Sequence, residues 1–94
     1  MLSKIPTKEG NLSKEQSDRE LLWAGILAEL EAINLYEQMV ATTSDGDLKK
    51  VFMAVAKEEK EHVGEFQALL LERDSEQVEE LKKGKEEVRE IIGK

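Results

Sequence analysis

The sequence predicts an all-α protein: an antiparallel two-helix hairpin plus a short C-terminal helix, dimerising into a four-helix bundle. Three observations lead there. Apolar residues recur at helical 4,3 spacing along two long segments, and no stretch alternates with period two for long enough to make a strand. The single proline, Pro6, lies ahead of both segments, so nothing interrupts them. Only "TTSDGD" (42–47) separates the two, and long helices joined by a short turn fold back as antiparallel neighbours.

Residues 1–12 are polar, contain Pro6 and Gly10, and read as a flexible N-terminal arm. Residues 13–94 read as the helical-hairpin domain. Ser13 with Gln16, and Ser17 with Glu20, both fit a capping box, in which side chains satisfy the free amides of a first helical turn. The first helix then runs to about residue 42. In the turn, Gly46 is expected to free the backbone, and Ser44, Asp45 or Asp47 to cap the next helix. The second helix is predicted over 48–72. "RDSEQ" ends it, with Asp74 or Ser75 as the next cap. A third helix over 76–92 carries Val78, Leu81, Val88, Ile91 and Ile92, and Gly84 is expected to weaken or bend it.

Composition narrows the function. Ninety-four residues suit one small domain or a fragment. The 21 Asp plus Glu against 14 Lys plus Arg leave a formal charge of −7. An acidic chain lacks the basic face that phosphate contacts need, so no nucleic-acid partner is expected; it does attract cations. With no cysteine, disulfides and thiolate metal sites are excluded. No run approaches a membrane span, and "MLSKIPTKEGNLSKEQ" holds no apolar signal segment, so no membrane partner and a cytoplasmic location are expected.

The seams carry the chemistry. In the first helix the 4,3 spacing selects Leu22, Ile26, Glu29, Ile33, Tyr36 and Val40. In the second it selects Leu48, Phe52, Val55, Glu59, His62, Phe66 and Leu69. Each stripe is apolar except near its middle. Glu58, Glu61 and Glu65 fall off the stripe and read as solvated. A second apolar set, Trp23, Leu27 and Leu30, gives the first helix more apolar circumference than one partner helix can cover, so the chain is expected to oligomerise.

A buried carboxylate without a partner costs several kcal/mol. Residues three apart on a helix are neighbours, so Glu59 and His62 can hold one ion. Carboxylate-bridged di-iron bundles take one Glu from each of two helices and one Glu-x-x-His from each of two others. One chain supplies half of that set: Glu29, Glu59 and His62. Two chains across a two-fold axis supply all of it. Oxygen-rich ligation with one imidazole per metal suits iron or manganese.

Two segments, "AELEAINLYEQM" (28–39) and "AKEEKEHVGEFQALL" (56–70), resemble the encapsulated ferritins, short ferritin-like proteins housed in encapsulin nanocompartments. The resemblance covers residues 20–92. It implies a hairpin that dimerises into a ferritin-like four-helix bundle around a di-iron ferroxidase centre, with dimers forming a decameric ring. It further implies an encapsulin shell protein, separate or fused, as partner, and iron storage and mineralisation inside the nanocompartment. Glu29, Glu59 and His62 align with iron ligands, Tyr36 with a tyrosine close to the metals, and Glu31 with an acidic residue where metal enters. Ala28 and Leu35 depart from that pattern: the family often has glutamate and tryptophan there. The C-terminal "REIIGK" lacks the shell-targeting peptide of standalone members, and other members are fused to the shell protein.

Plainer readings stand beside these. Glu59 and His62 also fit a solvated helix face, since E-x-x-H arises by chance in a Glu-rich segment. Tyr36 also fits a seam aromatic, and Glu31 a solvent-facing glutamate. Trp23, Leu27 and Leu30 read as interface packing, and Met39 and Met53 as gap-fillers. Three functions follow: a ferroxidase, an Fe(II):O₂ oxidoreductase; a metal-binding helical module without efficient turnover; or a metal-free helical assembly protein whose polar seam residues set register.

Overall fold

The computed structural model describes residues 13–93; the arm expected over 1–12 lies outside them. Among the described residues there are three helices and no strand: α1 (Lys14–Thr42), α2 (Gly46–Arg73) and α3 (Ser75–Ile92). α1 and α2 run antiparallel along one another, while α3 meets α2 alone.

Each helix starts on a side-chain cap. The Ser13 hydroxyl accepts from the Gln16 amide at 3.1 Å, and the Gln16 side chain accepts from the Ser13 amide at 3.0 Å. The first of the two expected capping boxes is therefore the one used. Asp45 caps α2, its Oδ1 accepting from the amides of Asp47 at 2.9 Å and Leu48 at 3.0 Å. Asp74 caps α3 through the Gln77 amide at 3.1 Å.

One expectation about glycine is corrected. Gly46 is the first residue of α2 and not a left-handed turn residue. Among the described residues, positive φ occurs only at Gly93 (φ 75°), which ends α3 while its amide donates to the Arg89 carbonyl. The Asp45 carboxylate holds the first turn of α2 without needing an unusual backbone. Gly84 sits inside α3, which runs unbroken for 18 residues. One glycine costs about 1 kcal/mol relative to alanine, and flanking Glu, Lys and Leu favour helix enough to bridge it.

Within the single chain the buried core is small: Ile26, Ala56 and Leu70. The chain exposes 7632 Å², against about 5,500 Å² expected for a compact monomer of this mass. Its radius of gyration is 17.0 Å, where about 12 Å is usual for this length. Apolar side chains account for much of the open surface. Leu21, Trp23, Leu27, Leu30, Leu48 and Leu69 are all exposed, as are Val88 and Ile91 on α3. Met53 is exposed too, so within one chain it fills no gap.

Candidate metal centre

The hairpin brings Glu29 of α1 against Glu59 and His62 of α2. One ligand atom from each lies within 4.8 Å of the other two. His62 Nδ1 is 3.3 Å from Glu59 Oε2 and 3.4 Å from Glu29 Oε2. The geometry follows from register. Glu29 and Glu59 stand at equal separations from the turn, and Glu59 and His62 share a helix face by their three-residue spacing.

Both contacts of Nδ1 are longer than the usual 2.7–3.2 Å of a strong N–H···O bond. One ring nitrogen shared between two carboxylates leaves four carboxylate oxygens under-used. The carboxylates are largely enclosed, with side chains 18% (Glu29) and 19% (Glu59) exposed. With ligand atoms within 4.8 Å of each other, two such anions repel when both are ionised. A cation between them reverses that sign. Hard oxygen donors hold a divalent ion at about 2.0–2.2 Å, which puts adjacent donors about 3 Å apart, close to the spacings present. The donor set therefore fits a divalent metal ion, with a slight inward closure.

The His62 side chain is 44% exposed, so the imidazole side of the cluster is open. Seam residues Leu48 and Leu69, toward the two ends of α2, are also exposed. Three donors are fewer than a six-coordinate ion takes, and the open side is where more could enter.

The other residues singled out in the sequence take different places. Tyr36 is half-buried and stacks on Phe52, ring centroids 6.3 Å apart at 18°. That stack stands one heptad nearer the turn than the cluster, on both helices. Glu31 is half-buried but two positions from Glu29, hence about 200° round the helix and off the cluster face. Glu58, Glu61 and Glu65 are exposed, as the stripe predicts, and so are Ala28 and Leu35. Lys60 reaches Glu37 across the hairpin at 3.4 Å, an exposed pair that contributes little.

One neighbour, Gly25, went unmarked in the sequence: the seam residue Phe66 packs against it, one turn beyond the cluster on both helices. A glycine inside a long helix, four residues before a seam glutamate, is the signal that could have flagged it.

The fold and cluster define a helical hairpin carrying two carboxylates and one imidazole close enough to hold a metal ion. Comparison with known proteins adds the family. The EncFtn-like family profile matches residues 4–86, and this chain belongs to that family. It is 52% identical over 96 residues to a ferritin-like–encapsulin shell fusion protein of Pyrococcus furiosus, covering 99% of this chain and 28% of that protein. It is 36% identical over 81 residues to the encapsulin nanocompartment cargo protein EncC of Myxococcus xanthus, covering 83% of this chain and 62% of that one. The crystal structure of the encapsulated ferritin domain from Pyrococcus furiosus superposes with a TM-score of 0.85 at 46% identity, covering 100% of this chain and 96% of that chain. The chain thus spans less than two thirds of the length of either curated relative.

Proposed function

We propose that this chain is a ferroxidase that oxidises Fe(II) to Fe(III) at a di-iron site shared by two copies, and that it works within an encapsulin nanocompartment. The observation that carries the reading is the cluster itself: two enclosed carboxylates and one imidazole, half of a two-metal ligand set, on an apolar face left open. A second copy related by a two-fold axis would add the same three residues and cover exposed seam leucines. The names of the two relatives, a shell fusion and a nanocompartment cargo protein, support the encapsulin partner.

Iron is the substrate. Glu29 and Glu59 would hold it with hard anionic oxygens, which favour Fe(III) over Fe(II). His62 would supply the nitrogen donor through Nδ1, the atom that faces both carboxylates. Two Fe(II) ions each give one electron, and dioxygen takes both with two protons to leave hydrogen peroxide. The ferric product is then released for mineralisation. Tyr36, steadied by Phe52, is assigned a place close to the metals, and Glu31 a role on the side where iron enters. Decameric assembly of the dimers belongs to the same reading.

Fe(II) oxidation in air tests it. Wild type should oxidise iron well above the buffer rate, and Glu29→Ala and His62→Ala should return it to background. Stoichiometric binding with oxidation at background would instead mark a sequestering module. No binding at all would leave only the assembly role.

A further inference from the structure

We propose that Gly25 is a positioning residue for the Glu29, Glu59 and His62 cluster, acting through the ring of Phe66; this rests on the metal-binding reading of that cluster. Gly25 lies one turn before Glu29 on α1, and Phe66 one turn after His62 on α2. In an antiparallel hairpin those are the same level. A Cβ on Gly25 would stand 3.2 Å from Phe66 Cδ2, 3.3 Å from Cε2 and 3.6 Å from Cγ. Three ring atoms at nearly equal distance mean that the ring lies flat across the bare backbone. The gap between the helices next to the cluster is therefore set by one aromatic thickness with no methyl in between.

This placement is specific. Gly64 and Gly84 are also inside helices, yet a Cβ on either meets nothing within 4 Å. An interior glycine costs a helix about 1 kcal/mol relative to alanine. At Gly25 that cost accompanies a close approach beside the cluster. On the other side of the cluster the hairpin is held by the Tyr36–Phe52 stack, so the three ligands sit between two aromatic contacts.

Adding a methyl at residue 25 makes the ring or the helix give by a few tenths of an ångström. Helix packing absorbs such a shift, but metal–ligand distances tolerate only about ±0.2 Å. The metal site should thus respond to a change that the fold accepts.

Co(II) is the probe, because it is stable in air and its visible absorption reports ligand geometry. Wild type should bind it with a defined ligand-field spectrum. Gly25→Ala should bind about tenfold more weakly with an altered spectrum, while far-UV circular dichroism stays helical. Gly84→Ala should match wild type. The double variant Gly25→Ala with Phe66→Leu should regain affinity, because the smaller side chain makes room for the methyl. Wild-type Co(II) binding with Gly25→Ala unchanged overturns the positioning role and leaves the metal reading intact. Failure of wild type to bind Co(II) overturns both. If Gly25→Ala alone does not fold, Phe66→Leu is compared with the double variant. The double variant should then bind more tightly, since the methyl refills the space, and equal or weaker binding overturns the proposal.

Discussion

If two copies share the site as proposed, Leu69→Ala should loosen the dimer and weaken iron binding together, though residue 69 holds no metal. Leu69 is on the seam of α2, one heptad beyond His62, and 43% of its surface is open in the single chain. Fully burying a leucine contributes about 1.5–3 kcal/mol, so covering the open part contributes about 0.6–1.3 kcal/mol per copy. A two-fold dimer covers it twice, which makes the loss about 1.3–2.6 kcal/mol, or about ten- to eightyfold in the dissociation constant. Sedimentation velocity across a concentration series reads that constant. Anaerobic Fe(II) titration at concentrations where the variant is largely monomeric reads the second effect. A site built from two copies weakens in step with dimerisation. The already covered part of Leu69 supports the hairpin, so far-UV circular dichroism is followed alongside. Unchanged dimerisation would refute the assignment of this face. Weaker dimerisation with undiminished iron affinity would refute the shared site.

Other predictions concern the scaffold. Asp45→Ala removes both side-chain bonds at the start of α2 and should cost about 1 kcal/mol, lowering the melting temperature by about 4–8 °C. Gly84→Ala meets no neighbour in an exposed helix and should stabilise by up to about 1 kcal/mol, read in the same melts. Leu70→Ala empties the most buried side chain of a small core and should cost about 2–5 kcal/mol, seen as a large fall in the denaturation midpoint.

Much of the fold was legible because local signals agreed with each other. Ser13 with Gln16 starts α1 where the capping box puts it, and the middle of each seam lies on the face that α1 and α2 share. At the ends of the second seam Leu48 and Leu69 are exposed, and the off-stripe Ala56 and Leu70 are buried instead. The clearest error was at a glycine. Gly46 looked like a turn-maker, but Asp45 one residue earlier governs the helix start. Gly84 was expected to weaken or bend α3, and its neighbours carry the helix through it unbroken. The clustering of Glu29, Glu59 and His62 was legible because 4,3 spacing fixes which residues share a face. What spacing cannot express is the rotation and separation of two helices. The Gly25–Phe66 contact and the Tyr36–Phe52 stack depend on both. Nor can one chain's spacing show what covers Leu48, Leu69 and the open side of His62.

The most direct test is a crystal structure of the iron-loaded protein with anomalous data at the iron edge. The account predicts two iron peaks about 3.5–4 Å apart astride a two-fold axis, bound by Glu29, Glu59 and His62 of both copies. Iron held by one copy alone, or iron bound elsewhere with these three side chains unligated, would contradict it.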